Sequence, residues 1–221
     1  MARTAKRRPG PPHVIELPDL AAFQATPEDH GDYEALDIAD RDLARTEAKG
    51  ATFARCRFVR CRLDDARLPD GRMTECLLDE LGATGVDVSG STWHDTILAG
   101  ARIGALSAVR AQWSSVRVRG GKLDFLALAG ARLDDVAFED CVIDELDLGD
   151  ARLKAVTFSG CRIGVLDVEA AQMTDVDLAG AQVRTVRGIA SLRGATVSPG
   201  QLVEMAPLMA HHLGIRVGDE T

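Results

Sequence analysis

From Ile38 to Val183 every fifth residue is apolar, thirty positions in one unbroken phase. Among them only Ala48, Ala83 and Ala108 are as small as alanine, so in a chain that is 46% hydrophobic the pattern is a period and not a drift of composition. Neither regular structure accounts for it. Five residues advance an α-helix by about 500°, which lets a stripe wander around the axis, and a strand requires a period of two. A short repeat held this long points to a solenoid, in which each unit buries its apolar face only by stacking on its neighbours.

The residues two before each of these centres add a second period. From 126 onward they read Leu126, Ala131, Val136, Cys141, then Leu146, Ala151, Val156, Cys161, then Leu166, Ala171, Val176, Ala181. The order repeats every 20 residues, which is four pentads. The coil therefore has four sides, and residues 20 apart lie above one another as parallel strands about 4.8 Å apart. Thirty pentads make about 7 to 8 coils and a rod of roughly 36 Å.

In this arrangement the centre and the residue two before it point inward, and the other three point out. Small inward residues such as Ala51, Ala66, Ala101, Ala131 and Ala151 leave room for the large centres. All five cysteines, Cys56, Cys61, Cys76, Cys141 and Cys161, fall at the inward position two before a centre. They are accounted for as small, reduced, buried apolar residues. Trp93 and Trp113 are both centres, 20 apart, and are expected to stack inside between Met73 and Leu133.

The pentads Ala131-Arg132-Leu133-Asp134-Asp135, Ala151-Arg152-Leu153-Lys154-Ala155 and Cys161-Arg162-Ile163-Gly164-Val165 resemble the pentapeptide-repeat family, over about two thirds of the chain. The resemblance implies an all-β fold, a right-handed quadrilateral parallel β-helix. It also brings functional expectations. Some members are acidic rods that mimic duplex DNA, bind DNA gyrase, and inhibit it or protect it from quinolones; some pair as homodimers through a C-terminal helix.

Three segments are expected: residues 1–33 as an N-terminal tail and cap, 34–197 as the repeat, and 198–221 as a C-terminal helical segment and tail. Arg3 to Pro12 is basic and proline-rich and is expected to be disordered. The apolar runs Val14-Ile15-Glu16-Leu17 and Leu20-Ala21-Ala22-Phe23 can cover the first coil, whose open end would otherwise expose unpaired backbone. After Val183 the phase breaks at Gly188, and Leu192 and Val197 resume it one residue early. Ser198-Pro199-Gly200-Gln201 then forms a helix start, with a cap serine, proline at the first position and glutamine at the third. Leu202, Met205, Leu208, Met209 and Leu213 supply an apolar side, as a lid or a dimer contact, and Pro207 is expected to kink the segment or divide it into two short helices.

No catalytic constellation is present. His13, His30, His94, His211 and His212 are scattered, and neighbouring acids such as Asp134-Asp135 diverge on a flat solenoid side. No enzyme, cofactor or metal is therefore expected. No stretch approaches the roughly 18 apolar residues of a transmembrane helix, and no apolar signal core follows the basic start; a cytoplasmic protein is expected.

The surface has direction nonetheless. Residues 121–180 carry 13 acids and five bases, whereas 41–72 carry nine bases and five acids. Glu75, Asp95, Asp135 and Asp175 share one column, interrupted by Ser115 and Ala155, and form a candidate acidic face for a protein partner. Leu77 and Ile97, one before a centre and 20 apart, form a candidate apolar patch, and Phe125 should also face out. A non-enzymatic protein-binding rod follows, with a gyrase-type topoisomerase as the best named partner and direct nucleic-acid binding disfavoured. The alternative is a scaffold rod with no link to topoisomerases. Acids gathered on one continuous face favour the first; an even spread with a hydrophobic face favours the second.

Overall fold

The structure is a computed structural model that describes residues 14–216. The basic segment Arg3 to Pro12, His13 and residues 217–221 lie outside them. The chain forms a parallel β-solenoid of about eight turns followed by one C-terminal helix. Along one side, Asp37 pairs with Arg57, Arg57 with Leu77, Leu77 with Ile97, Ile97 with Arg117, Arg117 with Ala137, Ala137 with Thr157, and Thr157 with Asp177, all parallel. Each step is 20 residues, so one pentad forms each side and four close a coil.

The four sides can be named by the outward residue at their middle. The first carries Arg57, Leu77, Ile97 and Arg117; the second Arg62, Arg102, Lys122 and Arg162; the third Arg67, Asp87, Ser107 and Asp147; the fourth Arg72, Thr92, Gln112 and Arg132. Inside, the two inward positions of most pentads are buried: Ile143, Leu146, Leu148 and Ala151 are fully inaccessible, whereas Arg41, Ala83, Gly121 and Val183 are partly buried. Because the register brings identical columns together one rung apart, like rings face one another. Trp93 lies on Trp113 with ring centres 4.8 Å apart and planes 15° apart. Phe138 lies on Phe158, also at 4.8 Å.

The corners explain which residues stand two after each centre. In three of the four corner columns the backbone is left-handed as far as Gly160, Ala170 and Asp175, for example at Glu75, Asp95 and Asp135, at Glu80, Gly100 and Asp140, and at Asp70, Gly90 and Gly130. Glycine takes this conformation freely, and aspartate more readily than most residues. The fourth corner, between the second and third sides, is left-handed at Arg45 and Asp65 but not at the following Gly85, Ala105, Phe125, Glu145 and Val165. There the strands run through the corner, as Gly82–Asp87, Arg102–Ser107, Lys122–Ala127 and Val142–Asp147. Phe125 and Val165 fit this column because φ stays negative; a β-branched or bulky residue is poorly accommodated in the left-handed region.

At the N-terminal end Tyr33 is already in phase. It pairs with Phe53 in the ladder, and the two rings stack with centres 5.0 Å apart. Phe23 packs edge-on against Tyr33, and Ala21 and Ala22 pair with Leu36 and Asp37. This apolar segment covers the first coil, the role expected of Leu20 to Phe23.

At the far end the period slips. Thr157 pairs with Asp177, but Ser159 pairs with Gly180, so the upper strand carries one extra residue. A side chain at Gly180 would place Cβ 2.8 Å from the Phe158 carbonyl oxygen, and only glycine permits that approach. Val176 then pairs with Ala195, 19 residues on, which is the early resumption of phase seen in the sequence. Pro199–His212 is one continuous helix. The expected division at Pro207 does not occur. The carbonyl that Pro207 deprives is that of Val203, four residues back, and Val203 is exposed, so water can satisfy it.

Candidate interaction surface

The dominant surface feature is a ladder of ion pairs one rung apart. Arg57 forks onto Asp37 with bonds of 3.0 and 2.7 Å, and Arg60 onto Asp40 with two bonds of 2.7 Å. Arg62 pairs with Asp42, and Arg55 with Glu34. Higher on the rod Lys154 meets Asp134 at 3.0 Å, Arg119 meets Glu139 at 2.8 Å, and Lys122 bridges Asp124 and Asp144. The arginines of the early coils are therefore largely neutralised by acids of the coil beneath. Arg60 and Arg62 hold the Asp40 and Asp42 carboxyls below the usual carboxylate range. The Thr84 amide, more than Arg62, does the same for Asp64.

Glu75, Asp95, Asp135 and Asp175 share one left-handed corner column between the fourth and first sides. They do not form a bare acidic strip. Asp135 accepts from Arg117 at 3.1 and 3.2 Å, and His94 Nε2 stands 2.9 Å from Asp95. Among the described residues Glu75 and Asp175 have no ion-pair partner, and Asp70, Glu80, Asp140 and Asp150 occupy other corners, with Glu169 beside the corner at Ala170. The acids surround the rod and are not gathered on one side, which is the charge distribution expected of a scaffold, while the hydrophobic face that the scaffold reading also required is not made by Leu77 and Ile97.

Leu77 and Ile97 are in register on the first side, as expected, but do not make an apolar patch. Ile97 is only 6% exposed. In a ladder with rungs about 4.8 Å apart, an outward side chain is flanked above and below, here by Arg117 and Leu77. The Arg117 side chain is itself 13% exposed. Phe125, by contrast, does face solvent, at 38% exposure.

The C-terminal helix is a lid on one face. Met205 and Gln201 are buried against the last coil, over Leu178, Val183, Val186, Leu192 and Val197. Ser198 and Gln201 form the expected capping box. Leu202, Leu208 and Leu213 turn away, exposed by 49%, 43% and 70%, while Met209 is half-buried. Sequence spacing placed these five on a single apolar side; the structure separates Met205 from the exposed leucines.

Two open grooves lie on the second side. One of about 740 Å³ runs between Arg162, Gly164 and Arg184 and the start of the helix, and one of about 530 Å³ lies beside Arg102, Gly104 and Lys122. The sequence signal for both was the pair of glycines at the outward position after a centre. The five cysteines are unpaired and buried. Contact with Cys56 and then burial push the Cys76 thiol up, and contact with Cys161 and then burial do so for Cys141. Among the described residues no cluster of His, Cys, Asp or Glu could hold a metal ion, and no helix is long and apolar enough to cross a membrane.

No family model and no curated protein matches the chain. Among solved structures it is similar to a trypsin-treated form of QnrB1, a plasmid-mediated fluoroquinolone resistance protein, at 16% identity, over 86% of this chain and 100% of that one, with a TM-score of 0.42. Full-length QnrB1 gives 16% identity, 84% and 100% coverage, and a TM-score of 0.36. HetL, a pentapeptide repeat protein involved in heterocyst differentiation regulation from the cyanobacterium Nostoc sp., gives 18%, 78% and 91%, and 0.27. The coil itself, with one pentad to a side and four sides to a turn, is the pentapeptide-repeat fold.

Proposed function

We propose that this protein is a non-enzymatic, cytoplasmic binding rod that engages a protein partner through its acidic half. The observation that carries the reading is the charge of residues 121–180, 13 acids against five bases. Several of those acids, including Asp140, Asp150 and Asp175 at corners and Glu169 beside one, have no ion-pair partner among the described residues. A narrow rod ringed by such carboxylates suits a basic groove built for nucleic acid, and complementary fields accelerate that encounter. A gyrase-type topoisomerase is the named candidate. The test is a supercoiling titration with and without a quinolone, using the wild type and a Glu169→Lys/Asp175→Lys variant. Inhibition or drug protection that weakens in the variant is expected; no effect at micromolar concentrations of folded protein rejects the candidate.

A second reading has its own observation. The exposed Leu202, Leu208 and Leu213 on the helix favour a scaffold that acts through its end, as a homodimer. Here the spread of acids around all corners is only a solubilising surface. Partner-independent dimerisation with no effect on topoisomerase activity distinguishes this reading from the first.

A further inference from the structure

Three cations on the second side depart from the ladder rule. Arg102, Arg162 and Arg184 are exposed and have no ion-pair partner among the described residues. Both open grooves, of about 740 and 530 Å³, lie on this same side. Gly104 and Gly164 are among the residues that line them. A Cβ at either would stand 2.4 Å from a backbone carbonyl oxygen, that of Thr84 or Asp144.

The acids nearby are already engaged. Asp64 accepts from Arg62 and the Thr84 amide, and Asp124 and Asp144 share Lys122. Glu204, at the helix start, lines the larger groove without an ion-pair partner among the described residues. Together the two grooves are lined by four cations, Arg102, Lys122, Arg162 and Arg184, and three acids, Asp124, Asp144 and Glu204, so this concave side is positive by one charge in a chain of formal charge −8, with its three arginines uncommitted. Phe125, the exposed aromatic of the strand-like corner, stands at its margin between the Arg102 and Arg162 rungs. The fourth side also holds unanswered arginines, Arg132 and Arg152, but neither groove is lined by them.

We infer that the second side is a docking groove for an extended acidic peptide of a partner protein, running along the rod. Its carboxylates meet Arg102, Arg162 and Arg184, and an apolar side chain between them rests on Phe125. The spacing suits such an occupant. Arg102 and Arg162 are three rungs apart, about 14 Å, which an extended peptide covers in about four residues. The pairing chemistry is the one the molecule uses on itself, where an arginine is repeatedly answered by a carboxylate one rung away. This groove is opposite in sign to the acidic surface proposed above, so either site can fail without the other.

The test is fluorescence anisotropy with full-length protein and a labelled dodecapeptide of alternating Asp and Leu. A Lys/Leu dodecapeptide and a single-stranded DNA 12-mer serve as comparators. Binding of the acidic peptide below about 100 μM is expected. Arg162→Glu/Arg184→Glu should weaken it at least about tenfold, and Phe125→Ser about threefold or more. Arg132→Glu/Arg152→Glu, on the fourth side, should change it by less than about twofold. These side chains are exposed, and melting curves of each variant establish that it is folded. Absence of acidic-peptide binding, equal loss from both arginine pairs, or tighter binding of the DNA 12-mer that the Arg162/Arg184 variant abolishes would each overturn the proposal.

Discussion

Gln201 Nε2 donates to the carbonyl oxygen of Leu178 at 2.8 Å, and to that of Ala181 at the same distance. Its Oε1 meanwhile accepts from the Ser198 amide at 2.7 Å. One buried amide thus satisfies the open end of the last coil and the first turn of the helix together. Replacing it leaves two carbonyls at the solenoid end without donors. Gln201→Ala should therefore destabilise the protein by about 2–4 kcal/mol, whereas Ser198→Ala, which removes only the cap, should cost about 1 kcal/mol. Guanidinium titrations compare the two; equal losses would mean that Gln201 acts only as a cap residue.

Gly120 and Gly121 are adjacent, both left-handed, and face different surroundings. A Cβ at Gly120 meets nothing within 4 Å, but at Gly121 it would stand 2.2 Å from the Ala101 carbonyl oxygen. Gly120→Ala should thus cost only the left-handed strain, about 1–2 kcal/mol. Gly121→Ala must also displace a ladder strand and should cost at least about 3 kcal/mol. Thermal melts read the difference, and similar values for the two would contradict the close approach.

Ile97 is a structural residue despite its outward column. Ile97→Ala should destabilise by about 2 kcal/mol or more, and Leu77→Ala, at the half-buried rung below, by less. Neither should alter binding of a partner beyond the loss of folded protein. A binding defect in fully folded Ile97→Ala protein would restore the apolar patch that the sequence suggested.

The ion ladder gives a pH dependence of known sign. Asp40, Asp42 and Asp64 have lowered folded pKa values. Their contribution is present in full above the unfolded value of about 3.9 and is lost as pH falls through the folded values. For Lys122, raised by Asp124 and Asp144, the contribution is complete below about 10.4 and is lost as pH rises through the folded value. The melting-temperature gap between wild type and Asp40→Asn/Asp42→Asn should therefore close below about pH 4. Asparagine tolerates the left-handed corner at residue 40. Comparing the two proteins cancels the general effect of protonating a chain this acidic. A gap that widens on acidification would contradict the assignment.

Much of the fold was legible because the period of five and the period of 20 constrain each other. Leu126, Leu146 and Leu166 could recur only if coils stack in register, and that one inference carried the Trp93 and Trp113 stack, the buried cysteines and the corner aspartates. The site was less legible for a physical reason. A one-dimensional pattern tells which way Ile97 points but not how far Leu77 and Arg117 cover it. It tells that Asp135 is acidic but not that Arg117, on the next coil down, reaches it. The strand-like corner at Phe125 and Val165 had a signal, bulky residues where the other columns place Gly and Asp. The glycines behind the grooves were visible only as turn residues.

The helix offers the last test. Leu202, Ala206, Met209 and Leu213 follow one another at helical spacing and line a stripe, separate from the stripe of Gln201 and Met205 that faces the coil. Leu202 and Leu213 remain largely exposed, and fully burying each against a second copy would contribute about 1.5–3 kcal/mol. If the stripe joins two copies, sedimentation should show a concentration-dependent dimer. Leu202→Glu/Leu213→Glu should then weaken it at least about a hundredfold, as two charges enter an apolar contact. Because both side chains are largely exposed, the variant should melt close to the wild-type monomer, once the protein concentration is low enough to dissociate both. A monomer at every concentration up to about 100 μM would leave the helix as a lid alone, held by Gln201 and Met205.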